Sequence, residues 1–334
     1  MHKVVVIGGG TGTYTVLSGL KKKNLDLTSI VTVADSGGST GRLRDEFGYL
    51  PLGGFRMALV ALADANGDSN ILRDLFSYRF DKGTGLIGHN FGNLLLTALS
   101  DILGNEEKAF EYASKILRVK GKVVPITNKD ITLIAEYENG EIIIGETHID
   151  EPHSKHDGTQ KIKLLRGQPK ATISKKAKDA IKEADLIVVG PGDLYTSILA
   201  NFVVSGVSQA VKDSKAKFVH VVNLMNRYGH THNFKASDYI DEITRYVGRL
   251  PDFVLINNSK LPRNILKRYE EEKGYPVKDN LTSKSKFKII RKNLLAPECI
   301  KKVSGDAVRR SLIRHDSDKL AKEIEKILTN YISK

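Results

Sequence analysis

The stretch Val4-Val5-Val6-Ile7-Gly8-Gly9-Gly10-Thr11-Gly12-Thr13 constrains the fold of this chain more than any other. A short β-branched run ends in glycines and hydroxyls and passes into an amphipathic pattern carrying Val16, Leu17 and Leu20. That order predicts a buried parallel strand delivering a Gly-rich turn to a helix N-terminus. Bare backbone N–H groups and the positive end of the helix dipole then face one spot, which favours phosphate or another anion. The next strand, Ser29-Ile30-Val31-Thr32-Val33, runs into a second polar loop, Asp35 to Arg44. Two ligand-type loops after two successive strands argue for a nucleotide-like ligand.

Short apolar, β-branched runs recur at Val4–Ile7, Ile30–Val33, Leu186–Val189, Phe218–Val222 and Phe253–Ile256. Such runs suit strands buried on both faces. Helical patterns separate them at Phe55–Ala63, Ile71–Phe76, Leu94–Leu103, Ala109–Leu117, Ala177–Glu183, Ser208–Lys212 and Tyr239–Val247. The alternation predicts a doubly wound, mostly parallel Rossmann-like α/β sheet, in a single domain spanning 1–334. Its ligand belongs outside the carboxyl ends of the strands, where strand order reverses. Three stretches interrupt the pattern. Consecutive helices without a strand predict a helical insertion over about 66–120. Apolar runs flanking Asn139-Gly140 predict a β-hairpin, which with the mostly loop, polar stretch Asp150–Gln168 makes an insertion over about 130–170. A C-terminal extension over about 262–334 ends in an amphipathic helix, Ser317 to Ile332, with Leu320, Ile324, Ile327, Leu328 and Tyr331 on one face.

Lysine and arginine total 52 against 39 acidic residues, a net charge of +13 that biases partners toward anions. The basic residues are not interleaved with aromatics, so nucleic acid is not the expected partner. The lone cysteine, Cys299, excludes an internal disulfide and a Cys-based zinc site and fits a reducing cytoplasm. The chain enters a strand at once, which predicts no signal peptide. No apolar run reaches the roughly 18 residues a membrane span needs. The expectation is a cytoplasmic protein.

The first loop offers Gly9, Gly10, Thr11 and Gly12, but it is not the dinucleotide fingerprint. The third glycine position falls on Thr13 or Thr15, and Asp35 comes too late. The P-loop lysine is also absent. The second loop offers Asp35, Ser36, Gly37, Gly38, Ser39, Arg42 and Arg44. Asp35 could bind Mg²⁺ or a hydroxyl, and either arginine could pair with phosphate oxygens or merely with Asp45 or Glu46. Arg56 opens the next helix, where the dipole disfavours a cation unless an anion is bound. Gly88 to Asn93 starts another helix: His89 could be an acid, a base or a cap, with Asn90 and Asn93 beside it. A fifth loop supplies Gly190, Pro191, Gly192, Asp193, Tyr195 and Thr196, and Asn223, Asn226 and Arg227 follow the next strand. Convergence of these loops on one cleft is the strongest argument for a site. His148, Asp150, His153, His156 and Asp157 are metal-ligand types, but their spacing fits no helical i, i+4 histidine pair, so they predict no firm metal site. His230 and His232 follow the Asn223 loop and could reach the cleft, but the expectation is an exposed polar loop.

At these residues the sequence resembles the gluconeogenesis factor family, which shares a fold with 2-phospho-L-lactate transferase. The resemblance rests on Gly8–Gly12, Asp35–Arg44, Gly88–Leu95, Pro125-Ile126-Thr127, Gly190–Ser197, Asn223-Leu224-Met225 and Arg314-His315-Asp316. It implies a cytoplasmic bacterial protein that binds a UDP-sugar such as UDP-N-acetylglucosamine without a required cofactor. It also implies a role in cell shape and wall growth on gluconeogenic carbon sources, and a homodimer. In that reading the first loop and the Gly190 loop hold the diphosphate. Arg42, Arg44 or Arg56 neutralises it, and Asn93, Asn223 or Asn226 reads base or sugar. The alternative is a transferase moving a phosphorylated hydroxy-acid group from a nucleoside diphosphate carrier, with Asp35 and Asp193 holding Mg²⁺ and His89 as base. The chain departs from the family pattern at Gly54, where a carboxylate is usual, at Asp193, where serine is usual, and over Asn226–Thr231.

Overall fold

A computed structural model describes residues 1–64, 69–297 and 312–332. Cys299 and the first few residues of the expected helical insertion, 66–68, lie outside the described residues. Among the described residues ten strands run in chain order: β1 (His2–Gly8), β2 (Leu25–Val31), β3 (Lys122–Pro125), β4 (Thr132–Tyr137), β5 (Ile142–Ile144), β6 (Ile162–Gln168), β7 (Leu186–Val189), β8 (Lys217–Val221), β9 (Phe253–Asn257) and β10 (Lys288–Lys292).

Seven of them form one sheet in the order β10-β9-β8-β7-β1-β2-β3, with every pairing parallel. The central strands β1 and β7 are fully apolar at Val4–Ile7 and Leu186–Val189, and these residues are buried. Helices on both sides of such a sheet leave water out of both faces, which is why its strands read as apolar runs without alternation. Strand order reverses between β1 and β7, so the loops leaving these two strands adjoin at the switch point.

The strands β4, β5 and β6 form a small antiparallel sheet in the order β5-β4-β6, with the expected turn at Asn139-Gly140 joining β4 to β5. β6 occupies the end of a stretch that composition suggested was mostly loop. Its alternation is weak because Lys163, Leu164 and Arg166 face outward while Ile162 and Leu165 are buried. β3 and β10 were not expected as strands. Both are edges, with lysine at each start, and polar edges blunt the apolar signal.

The helices Ser69–Ser77, Phe91–Leu103 and Glu106–Ile116 follow one another with no strand element between them among the described residues. The final helix, Ser317–Tyr331, is capped by Asp316, which accepts from the N–H groups of Asp318 and Lys319. It buries Leu320, Ala321, Ile324, Ile327 and Leu328, each large side chain contributing roughly 1.5–3 kcal/mol. Tyr331, expected on that face, stays 42% exposed while its ring packs 4.9 Å from Phe253. The helix lies on the helix Gly10–Leu20, and Gly19 permits the approach: a Cβ there would sit 2.0 Å from the Ser317 carbonyl oxygen.

Candidate functional site

The loops leaving β1 and β7 pack backbone to backbone. A Cβ at Gly12 would lie 2.1 Å from the carbonyl oxygen of Pro191, so only glycine lets the two loops touch. The first loop feeds the helix Gly10–Leu20, whose opening N–H groups have no partner within the helix. The loop leaving β7 turns at Asp193, whose side chain accepts from the Thr196 N–H and caps a wide helical turn, Leu194–Ile198. These loops form one wall of a cleft of about 900 Å³. That volume is at the upper end of small-molecule sites.

Another part of the lining is acidic. After β5 the short helix Glu146–Asp150 docks on the loop leaving β2: Ser36 Oγ accepts from the Thr147 N–H at 3.1 Å, and Glu146 Oε2 from the Ser36 N–H at 3.4 Å. Asp35, Glu146, Asp150 and Asp193 thereby line the same cleft. Burial pushes the Asp35 carboxyl upward against the pull of the Gly37 N–H, the Thr40 hydroxyl and the Arg56 charge. Burial, then the charges of Asp35 and Asp150, push Glu146 well above the ordinary carboxylate range. Asp150 is raised by burial and by Asp193. Burial opposes ionisation of Asp193 too, but His230 and Arg227 outweigh it and hold that carboxyl low.

Arg227 ties this wall together. Its guanidinium donates to Asp150 at 2.5 and 3.2 Å and to Asp193 at 3.1 Å. His230 is 1% exposed, not in an exposed loop as expected, and its Nδ1 lies 3.6 Å from Asp193. Asp150, Asp193 and His230 place ligand-type atoms within 4.8 Å of one another. Their pocket of negative charge already holds the chain's own cation, Arg227. The other residues of the His148–Asp157 group do not join this trio, although His153 and His156 also line the cleft. His148 bonds the carbonyl of Ile144, His153 and His156 bond Glu141, and Asp157 bonds Thr159 and Gln160. His232 is half-buried, edge-on to Tyr228.

Of the residues singled out from the sequence, Gly9, Gly10, Thr11, Gly12, Asp35, Gly37, Gly38, Ser39, Arg56, Asn93, Pro191, Gly192, Asp193, Thr196, Asn223, Asn226 and Arg227 line the cleft. Several are held by other groups. Asn93 accepts from Arg56 Nε at 2.9 Å, and Asn226 accepts from the Tyr275 N–H at 2.8 Å. Arg56 is the fifth residue of the helix Leu52–Leu62, beyond the first turn where it was expected.

Ser36, Arg42, Arg44, His89, Asn90, Gly190 and Tyr195 are not part of the lining. The expected loop Asp35–Arg44 is helical from Gly38 to Phe47, which turns Arg42 to the Ile87 carbonyl and Arg44 to Asp45. Ser36 holds the helix Glu146–Asp150 instead. His89 is buried with Nδ1 on Ser39 Oγ at 3.3 Å, and burial lowers its pKa. Asn90 caps the helix Phe91–Leu103. Gly190 backs onto the carbonyl of Val221. Tyr195 is buried with its hydroxyl on Glu242 at 3.1 Å. Conversely, Glu146, Arg79, Arg314 and His315 line the cleft without having been singled out as ligand residues. Glu146 and Asp150 are spaced i, i+4, and that one-face pair of carboxylates is a signal the sequence contained.

The family model of the 2-phospho-L-lactate transferase CofD matches residues 4–295. A protein of Aquifex aeolicus named "Putative gluconeogenesis factor" is 43% identical over 98% of this chain and 97% of its own length. The protein of Bacillus subtilis named "Gluconeogenesis factor" is 37% identical over 96% of each chain. A crystal structure of a UPF0052 family protein from Bacillus halodurans superposes with a TM-score of 0.86 at 35% identity, covering 97% of this chain and 98% of that one.

Proposed function

Because this chain belongs to the CofD family and stands among its gluconeogenesis factors, we propose that the cleft binds a nucleoside diphosphate sugar of the UDP-N-acetylglucosamine kind. The role we assign is regulatory: a cytoplasmic protein, working as a homodimer, that ties cell shape and wall growth to gluconeogenic carbon sources. The observation that carries ligand binding is the junction of the Gly9–Gly12 and Pro191–Asp193 loops at the switch point, beside a helix N-terminus. A diphosphate laid there meets backbone N–H groups, with Arg56 and Arg227 in the same cleft.

A diphosphate also meets four carboxylates, and their mutual repulsion argues for a cation. Hard oxygen donors that burial and like charge disfavour as free anions fit Mg²⁺: Asp35 and Glu146 would hold it, while Asp193 is already paired with Arg227. Bound there, Mg²⁺ would supply charge neutralisation for the diphosphate. Asp150 and Arg227 keep the neighbouring charge balanced, and the loop glycines let phosphate oxygens approach the backbone.

The same acidic wall favours the second reading, a 2-phospho-L-lactate transferase-like enzyme, since a leaving diphosphate needs a metal beside it. That reading lacks its expected base, because His89 is turned to Ser39 outside the lining. Calorimetric titration with UDP-N-acetylglucosamine, UDP and GDP, with and without Mg²⁺, separates the two. Binding of the uridine ligands, strengthened by Mg²⁺, is expected. No response to uridine ligands together with a Mg²⁺-dependent response to GDP would reject the regulatory reading. Sedimentation at micromolar concentration tests the dimer.

A further inference from the structure

We propose that His315 is a specificity-determining residue of this cleft, its Nε2 accepting a hydrogen bond from an N–H or O–H group on the non-phosphate part of the ligand. The inference rests on the nucleotide-sugar reading and adds to it a position beyond residue 295, where the family match ends.

The C-terminal segment brings His315 back to the ligand edge of the main sheet. Leu295 and His315 form an antiparallel bridge, the Ala296 N–H donates to the Arg314 carbonyl at 3.0 Å, and the Asp316 N–H donates to the Leu294 carbonyl at 2.7 Å. His315 is held on both sides by backbone, is 7% exposed, and lines the cleft. Its ring bonds the carbonyl of Val222, which only a protonated ring nitrogen can do. Nε2 is buried and has no hydrogen-bond partner. The proton therefore sits on Nδ1. Burial lowers the pKa to about 4 despite the Val222 carbonyl, so the ring is neutral at pH 7 and Nε2 presents a lone pair.

Next in the chain to Val222 is Asn223, which also lines the cleft. Its Nδ2 donates to the Gly192 carbonyl at 2.7 Å, and its Oδ1 is buried without a partner. Two buried, unpartnered acceptors on residues that line one cleft are complementary to donors and reject acceptors, because an unmet buried acceptor is costly. A buried ring with an unmet Nε2 is not by itself a ligand signal. His220 has the same arrangement, with Nδ1 on the Val189 carbonyl, but it lies inside the sheet and is not part of the cleft. Position in the cleft distinguishes the two. The donor could be a base imide N–H, a ribose hydroxyl, or a hydroxyl or amide N–H of the sugar.

The test is calorimetric titration of wild type, His315→Phe and His315→Gln with UDP and with UDP-N-acetylglucosamine. His315→Phe should weaken binding about 10- to 100-fold, the range for one unmet buried hydrogen bond. His315→Gln, which restores an acceptor, should recover most of it. Equal loss with both ligands places the donor on the uridine, and loss confined to UDP-N-acetylglucosamine places it on the sugar. A folded His315→Phe protein with unchanged affinity for both ligands overturns the proposal. Nitrogen-15 spectra of wild-type histidine rings need no variant. The unprotonated Nε2 signal of His315 should move upfield on saturation with the ligand. Binding without that movement overturns this proposal alone, whereas wild-type protein that binds no uridine ligand overturns the nucleotide-sugar reading and this inference with it.

Discussion

The two walls of the cleft are built on opposite principles. The wall where the β1 and β7 loops meet is made of backbone, and its shape depends on contacts that any Cβ at Gly12 would violate. The other wall is made of side-chain charge, drawn from Asp35 after β2, the helix Glu146–Asp150, Arg227 after β8 and the Asp193 side chain, which joins it to the backbone wall. A backbone wall is rigid and indifferent to pH. A charge wall tolerates changes of shape but responds to protons and cations.

The largest effect should come from the backbone wall. Gly12→Val drives a side chain into the Pro191 carbonyl, an overpacking that we expect to cost about 3 kcal/mol and to abolish nucleotide binding. Chemical denaturation and calorimetric titration measure the two effects, and both should be the same at pH 5 and pH 8. On the charge wall, Arg227→Ala leaves Asp150 and Asp193 facing each other without their shared cation. The pair is partly exposed, so the loss should be about 2–3 kcal/mol at pH 8, below that of a fully buried ion pair. That loss should shrink toward pH 5 as a carboxyl takes up a proton. A loss independent of pH would place Arg227 with the backbone wall and erase the distinction.

The wild-type protein should show a weaker form of the same dependence. Asp35, Glu146 and Asp150 all have carboxyls raised above their unfolded values. Between the unfolded and folded values the native state binds more protons, so stability rises as pH falls through that window and drops as pH rises. Asp193 has the opposite sign: its contribution is present above the unfolded value and is lost as pH falls through the lowered folded one. Thermal melts from pH 8 down to pH 5 should therefore rise in the ligand-free protein. Mg²⁺ binding between these carboxylates should flatten the rise. Melts that respond to pH identically with and without Mg²⁺ would leave the metal assignment without support.

The same contrast explains what the sequence made legible. The parallel sheet and the backbone wall were readable because strand, glycine turn and helix are contiguous, so local pattern and local geometry coincide. The charge wall was only half readable. Asp35, Asp193 and Arg227 stand in recognisable loops, but Glu146 reaches them through a small antiparallel sheet whose docking no local pattern encodes. Asp150 stands in a polar stretch of histidines whose spacing matches no metal motif, so its pairing with Arg227 has no local signal. His315 returns to the cleft after a long excursion of the chain, and its neutrality follows from burial that composition does not reveal. Misreadings also had a physical cause. A helix beginning at Gly38 rather than after Arg44 turns both arginines of the second loop away from the lining.

That last point gives the smallest effect and the sharpest boundary. Arg44 lies in the last turn of the helix Gly38–Phe47, where a cation suits the dipole, 3.1 Å from Asp45 and 4.0 Å from Asp130. Such a pair, with Asp45 largely exposed, contributes about 0–1 kcal/mol. Arg44→Ala should cost no more than that in denaturation and should change affinity for UDP-N-acetylglucosamine by less than about twofold. Its charge also lowers the Asp35 carboxyl, though it is the weakest of the influences there, so a slight strengthening of the pH response is the one change expected at the site. A tenfold loss of affinity would mean that the arginine leaves Asp45 to reach the phosphate. The cleft would then have a third, mobile cationic wall, and its selectivity would depend on the motion of that side chain as well as on the fixed glycines and carboxylates.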